Sequence, residues 1–168
     1  MASGDLKRRI RTAAAEFAPL RWAVRGAARI VAPRHYVGAV GAVFDPDGRV
    51  LIVEHAFRTD FPWGLPGGWV ERGEDPRDTV ARELHEELGL DVDVRDLVGY
   101  GVVGRIRTST HPVHLGLAFY CRLRTGGATP SNEVLGYQWA DASHPAHPLS
   151  PFQQQAIVLA ARLNAAAG

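Results

Sequence analysis

The stretch from Gly68 to Leu90, GWVERGEDPRDTVARELHEELGL, decides how the rest of the chain is read. Pro76 suits the first turn of a helix, Glu74, Asp75 and Asp78 stand near the positive end of its dipole, and Gly89 is a natural stop, so a helix is predicted over 76–88. Val80, Leu84 and Leu88 recur at helical spacing and form a stripe that would anchor this helix on a sheet. Glu83, Glu86 and Glu87 fall within an arc of about 100° on a different face, centred roughly 110° from the apolar stripe. As a solvated face, such an arc costs only about 0.2–0.5 kcal/mol per like-charged pair. In a partly enclosed site the repulsion reaches about 4 kcal/mol at 4 Å, with an effective dielectric near 20, and divalent cations are then needed. Helix geometry alone leaves both readings open.

Outward from this segment, the pattern is that of alternating sheet and helix. Residues 36–44 and 49–55 are valine-rich apolar runs separated by Asp45, Pro46, Asp47 and Gly48, which predicts a hairpin. Ala56 to Gly68 holds prolines, glycines and aromatic residues and is expected to be a structured loop with one short strand. Residues 92–103 and 113–123 read as two strands joined by the basic loop Gly104 to Pro112, and 134–140 reads as a last strand. A proline-rich linker from Asp141 to Pro151 leads to a final helix over about 152–163. Strands around one central helix, with another at the C-terminal end, predict an α/β or α+β class in which a mixed sheet is sandwiched between helices. Before all of this, residues 1–34 show helical spacing interrupted by Pro19 and read as two short helices.

Composition constrains the function. The 168 residues are 46% hydrophobic and 22% charged, ordinary values for a globular domain that folds without disulfides. The single cysteine, Cys121, cannot form an intramolecular disulfide, and no cysteine cluster offers a zinc site. The longest apolar run, Tyr36 to Phe44, is too short to span a membrane, and no secretory signal pattern opens the chain. A soluble, cytoplasmic protein is expected. The net charge of +1 hides an asymmetry: residues 1–34 carry eight basic and two acidic residues, +6, and the remaining 11 basic and 16 acidic residues leave −5. An acidic main body suits a metal site and disfavours a nucleic-acid partner.

Gly68, Glu74, Arg82, Glu83, Glu86, Glu87 and Gly89, with Leu84 and Leu90 at two aliphatic positions, fit one long spaced pattern that resembles the Nudix box. A chance match of this length is rarer than roughly one in a million for average residue usage. Trp63, Leu65, Pro66 and Gly67 resemble the usual lead-in to that box. Beyond Trp63 to Leu90, the resemblance is one of element order, together with Glu133 followed six residues later by Trp139.

The resemblance implies a Nudix hydrolase domain at 35–168, preceded by a basic helical extension at 1–34. It implies a hydrolase dependent on magnesium or manganese that cleaves a diphosphate linkage in a nucleoside diphosphate joined to another moiety, by attack of water at phosphorus. Matched position by position, Glu83, Glu86 and Glu87 become metal ligands together with the backbone carbonyl of Gly67, as hard cations prefer oxygen donors. Gly68 allows close backbone approach, Arg82 orients the acidic cluster among the catalytic residues, and Glu74 secures the loop against the helix. The proton acceptor is a box glutamate, Glu87 or Glu83, or the later Glu133, which otherwise reads as an exposed turn residue. Arg105, Arg107 and His111 read either as phosphate contacts or as a solvated hairpin tip. Phe57, Phe61 and Trp69 read either as base-stacking or as packing residues.

Two substrate signatures within the family are missing. Fifteen residues beyond Leu90 the chain has Arg105 where ADP-ribose branches have proline. At 16–18 residues it has Ile106, Arg107 and Thr108 where dinucleoside-polyphosphate branches have tyrosine. A nucleotide-binding or regulatory module without turnover is the alternative, which the intact box disfavours. An isomerase acting on an isoprenoid diphosphate lacks support from any paired cysteine and glutamate pattern.

For residues 1–34, amphipathic spacing favours packing on the domain or on a second copy in a homodimer over contact with lipid. The full chain is therefore expected not to sediment with anionic vesicles. Salt-sensitive sedimentation that disappears on deleting residues 1–34 would reverse this preference.

Overall fold

The computed structural model describes residues 35–104 and 112–167, together with Trp22. The expected extension at 1–34 and the loop residues Arg105, Arg107 and His111 lie outside the described residues. In chain order the elements are β1 (Tyr36–Phe44), β2 (Val50–His55), β3 (Trp63–Gly64), β4 (Gly67–Trp69), α1 (Pro76–Leu88), β5 (Asp91–Val103), β6 (His114–Thr125), β7 (Val134–Ala140) and α2 (Pro151–Ala167).

The turn between β1 and β2 forms as its residues dictate. Asp45 Oδ1 accepts from the Arg49 backbone N–H at 2.8 Å, and Gly48 supplies a left-handed φ of 78°. Where one short strand was expected between Ala56 and Gly68, the structure has two, β3 and β4. Pro66 cannot donate to a ladder, and it separates them.

The seven strands form one mixed sheet with the path β3-β2-β1-β6-β5. β1 runs parallel to β6, with Val40 opposite Ala118, and antiparallel to β4, with Val40 opposite Gly67. β7 joins the far side of β2. Alternation along the strands sorts their side chains to two faces. Ala39, Val43, Leu51, Val53, Phe119 and Cys121 pack with Val80, Leu84 and Leu88 of α1. Ala42, Phe44, Val50, Ile52, Ala118 and Tyr120 pack with Ala156, Ile157 and Ala160 of α2. Helices cover both faces, and for that reason β1 and β2 read as nearly unbroken apolar runs. No helix among the described residues is long and apolar enough to cross a membrane.

The caps of α1 set its position. Asp75 accepts from the Arg77 backbone N–H at 2.9 Å, Pro76 follows in the first turn, and Gly89 ends the helix with φ 67°. The Gly89 N–H donates to the His85 carbonyl at 2.9 Å and the Leu90 N–H to that of Leu84 at 3.2 Å, a closed C-terminal turn. Gly41 lets the helix sit close to β1. A Cβ there would stand 2.9 Å from Val80 Cγ1, 3.1 Å from Cys121 Sγ and 3.2 Å from Leu84 Cδ1. Gly41→Val is therefore expected to lift α1 from the sheet and to lower stability by about 1–3 kcal/mol. Urea unfolding measures this, and a variant as stable as the parent would contradict the packing described.

Candidate active site

The site begins with two successive glycines that are small for different reasons. Gly67 has φ 141°, and a Cβ on it would strike the Ala39 carbonyl oxygen and stand 2.7 Å from Val40 Cα, because β4 is pressed against β1. At Gly68 a Cβ would collide with the carboxylate of Glu83. A glycine is thus what permits a helix side chain to lie directly against the backbone of β4.

Arg82 ties this strand, the loop and the helix together. Its Nε donates to Glu74 Oε1 at 2.9 Å and its Nη2 to Glu74 Oε2 at 3.2 Å, a two-pronged contact. Its Nη1 donates to Glu83 Oε1 at 2.9 Å and Glu86 Oε2 at 3.2 Å, and Nη2 reaches the Trp69 carbonyl at 3.4 Å. Glu74 also accepts from Thr79 Oγ1 at 2.7 Å and from the Glu71 N–H at 2.9 Å, closing the loop onto the first turn of α1. Hydrogen bonds from Arg82, then from Thr79 and Glu71, hold the Glu74 carboxyl down to about 2.

The three helix carboxylates that share one arc in projection have distinct environments. Glu86 is 60% exposed, Glu83 18%, and Glu87 is 7% exposed. Burial, followed by the charge of Glu83, pushes the Glu87 carboxyl up to about 7. Opposing this are a backbone hydrogen bond from Gly67 and the field of Arg58. Glu87 Oε2 is buried and has no hydrogen-bond partner. Burial also raises Glu83, against the hydrogen bond from Arg82.

Glu133 joins the group. Its negative charge acts on both Glu83 and Glu87, and the loop that carries it is stapled to the end of α1. The Thr129 and Ser131 N–H groups donate to the carbonyls of Leu88 and Glu87, both at 2.8 Å. The Glu133 carbonyl accepts from the Ala56 N–H at 3.2 Å, which draws the segment after β2 to the same place.

Other expected contacts are dispersed. Phe57 and Phe61 are exposed. Trp69 follows Gly68 in β4, so its side chain leaves the opposite face from the one that meets Glu83. Its ring packs against Tyr36 at 5.7 Å and against His114 at 4.7 Å. Trp63 stacks on His147 at 3.9 Å.

Sequence reasoning missed two residues. Arg58 carries a guanidinium that desolvation lowers to about 10 and that lies in the field of Glu87. Gln153 is buried on α2 with Oε1 unpartnered. Arg58 had no signal beyond its charge, but Gln153 was detectable as a polar residue on the apolar stripe of Ala156, Ile157 and Ala160.

Glu83, Glu86 and Glu87 carry the oxygen donors that a hard divalent cation takes. The unpartnered Oε2 of Glu87 fits that role, as does Glu83, which Arg82 engages through Oε1. Among the described residues no three such side chains enclose an ion as they stand, because Arg82 gathers Glu83 and Glu86 toward itself.

The NUDIX domain matches residues 34–160 of the chain. A MutT-like protein of Streptomyces ambofaciens is 35% identical over 107 residues, covering 64% of this chain and 64% of that protein. The Xenopus laevis protein named nucleoside diphosphate-linked moiety X motif 6 is 34% identical over 114 residues, 64% of this chain and 50% of its own length. The chain therefore spans less than two thirds of either relative. The crystal structure of a MutT protein from Methanosarcina mazei Go1 superposes with a TM-score of 0.63 at 19% identity, covering 80% of this chain and 98% of the other, a likeness of fold.

The environment of Glu87 has a measurable consequence in metal-free protein. Its carboxyl titrates near 4.5 when unfolded and about 7 when folded, so the folded state binds the proton more tightly. Its contribution to stability is full below 4.5 and is lost as pH rises through about 7. Glu87→Gln in excess chelator is expected to melt higher than the parent at pH 8 by about 1–2 kcal/mol, or roughly 2–8 °C, and close to it at pH 5. A lower melting temperature for the variant at pH 8 would refute this account of the site.

Proposed function

Because the chain belongs to the NUDIX domain family, whose members generally use divalent metal cations, we propose that it is a hydrolase dependent on magnesium or manganese. Its substrate is a nucleoside diphosphate linked to a second moiety, and its reaction is attack of water at phosphorus with cleavage of the diphosphate linkage. The observation that carries this reading is the buried, unpartnered Oε2 of Glu87 beside the half-buried Glu83. Two such carboxylates are costly to hold together without a cation between them. The name of the Xenopus relative supports the substrate class.

Each residue has a role in this reading. Glu83, Glu86, Glu87 and the Gly67 carbonyl hold the cation. When bound, it supplies charge neutralisation and Lewis acidity at the phosphoryl oxygens. Arg82 and Glu74 are positioning residues, fixing the strand, loop and helix before substrate arrives. Glu87 or Glu133 takes the proton from the attacking water. Glu133 is exposed and joined to the site through its backbone, so it can approach a water without giving up a side-chain bond to the helix. The lone, buried Cys121 suits a cytoplasmic setting, where thiols stay reduced.

A screen of nucleotide sugars, dinucleotides and nucleoside triphosphates, with released phosphate species as the readout, tests the class. Turnover is expected only with magnesium or manganese, and activity that persists in metal-stripped protein with excess chelator would sink the reading.

Glu87→Gln is expected to lose roughly 100-fold or more in turnover at saturating magnesium while remaining folded. Near-normal activity of that variant would remove Glu87 from the mechanism. Glu133→Gln is the comparison: an equal loss assigns it as base or ligand, and a small one leaves proton abstraction to the box.

A further inference from the structure

Helix α1 buries two polar side chains, Glu87 and Thr79. Glu87 belongs to the carboxylate cluster. Thr79 stands at a position that the box leaves unspecified, at the end of the first turn, on the helix face that continues through Glu83 and Glu86. It is fully buried. A β-branched side chain is less favourable in a helix than alanine, so the hydroxyl is the part that needs a reason.

That hydroxyl donates to Glu74 Oε2 at 2.7 Å, and the same oxygen takes the Glu71 N–H at 2.9 Å and Arg82 Nη2 at 3.2 Å. One donor on the helix and one on the loop, both closer than Arg82 Nη2, therefore set the plane of the carboxylate that Arg82 grips. Arg82 itself faces two ways. Glu74 holds its Nε and Nη2, while Nη1 donates to Glu83 Oε1 at 2.9 Å and to Glu86 Oε2 at 3.2 Å. Nη1 thus competes with a cation for the same carboxylate oxygens. A guanidinium is rigid and planar, so one anchored at Nε and Nη2 stays in place when those carboxylates turn away from it. One whose anchor swings follows them and keeps them neutralised. The stiffness of Glu74 thereby decides how readily the cluster takes a cation.

We propose that Thr79 is a positioning residue for the cation site: its hydroxyl locks Glu74, which anchors Arg82 and leaves Glu83 and Glu86 free to turn to the cation. The inference rests on the metal-dependent hydrolase reading and adds to it a residue outside the box pattern. Thr79 touches no reacting atom, so its effect is read in cation affinity. Thr79→Val keeps the shape of the side chain, and Glu74 Oε2 retains the Glu71 N–H and Arg82 Nη2, so no buried acceptor is orphaned.

The test is binding of Mn2+ to the metal-stripped full chain, followed by electron paramagnetic resonance of the free ion, with thermal melts as the folding control. Thr79→Val is expected to stay folded and to bind Mn2+ about tenfold more weakly, the low end of what losing an outer partner of a metal ligand costs. Thr79→Ser keeps the hydroxyl and is expected within about twofold of the parent. Thr79→Ala repeats the loss of the hydroxyl should the valine variant not fold. Because Thr79 acts through Glu74, adding Thr79→Val to Glu74→Ala is expected to cost nothing further. A loss below about threefold on removing the hydroxyl would overturn the proposal. So would a serine variant as weak as the valine one, an additive loss in the double variant, absence of Mn2+ binding to the parent, or unfolding of both the valine and alanine variants. Turnover in the nucleotide screen with Mn2+ affinity unmoved in Thr79→Val would refute this inference and leave the hydrolase reading standing. Thr79-dependent Mn2+ binding without turnover of any nucleotide would do the reverse.

Discussion

The guanidinium of Arg82 makes five contacts, to Glu74, Glu83, Glu86 and the Trp69 carbonyl, and the geometry of the site depends on them. A loop between a three-residue strand and a helix has little apolar surface to fix it, so its order must come from polar contacts that survive partial exposure. A planar fork of donors meets several carboxylates at set angles, which a lysine ammonium cannot do. Glu74 completes the clamp by taking Thr79 and the Glu71 N–H as well as Arg82. Two carboxylates of the cluster are thereby oriented before any ligand arrives, and the entropy of ordering them falls within folding.

The same clamp leaves Glu87 outside its reach. Arg82 offsets the charge of Glu74, Glu83 and Glu86, while the second cation of the region, Arg58, influences Glu87 through its field. Charge is thus distributed unevenly: the rim carboxylate Glu86 is paired, and the innermost carboxylate is not. A site arranged to bind a cation has this form, because a fully paired set of carboxylates would have to give up its partners before binding. The buried end of the cluster, at Glu87, is poor in protein donors, and the end held by Arg82 is rich in them.

The central helix was legible to the residue, 76–88, because Asp75, Pro76 and Gly89 act locally and the fold had no reason to override them. The strands 36–44 and 134–140 were equally legible from their apolar runs. The split between β3 and β4 was not, since two- and three-residue strands exist only through their neighbours: Gly64 pairs with Val53, and Gly67 with Val40. The sequence placed Glu83, Glu86 and Glu87 on one arc but could not rank them. Their order of burial depends on how closely Gly41 and Gly68 admit the helix, and those approaches are made between residues far apart in the chain. Arg58 and Gln153 were unreadable together for the same reason, because 95 positions, from 58 to 153, separate two side chains that meet over one glycine.

Among the described residues, two buried side-chain atoms have no hydrogen-bond partner, Glu87 Oε2 and Gln153 Oε1. They come from opposite faces of the sheet, one on α1 and the other on α2, yet both border the short segment from Gly64 to Gly67. Buried polar atoms are otherwise satisfied in folded proteins, and each orphan costs stability. Two orphans placed at random would have no reason to flank the same four residues. Their convergence there follows if that segment is where the protein keeps valences open for a ligand, and it explains why Gly64 and Gly67 carry no side chains. At Gly67 the backbone of β1 forbids one, and at Gly64 the space is held by the amide and the guanidinium themselves. The segment is a spine that the Glu87 carboxylate from one helix and the Gln153 amide from the other approach from opposite faces of the sheet.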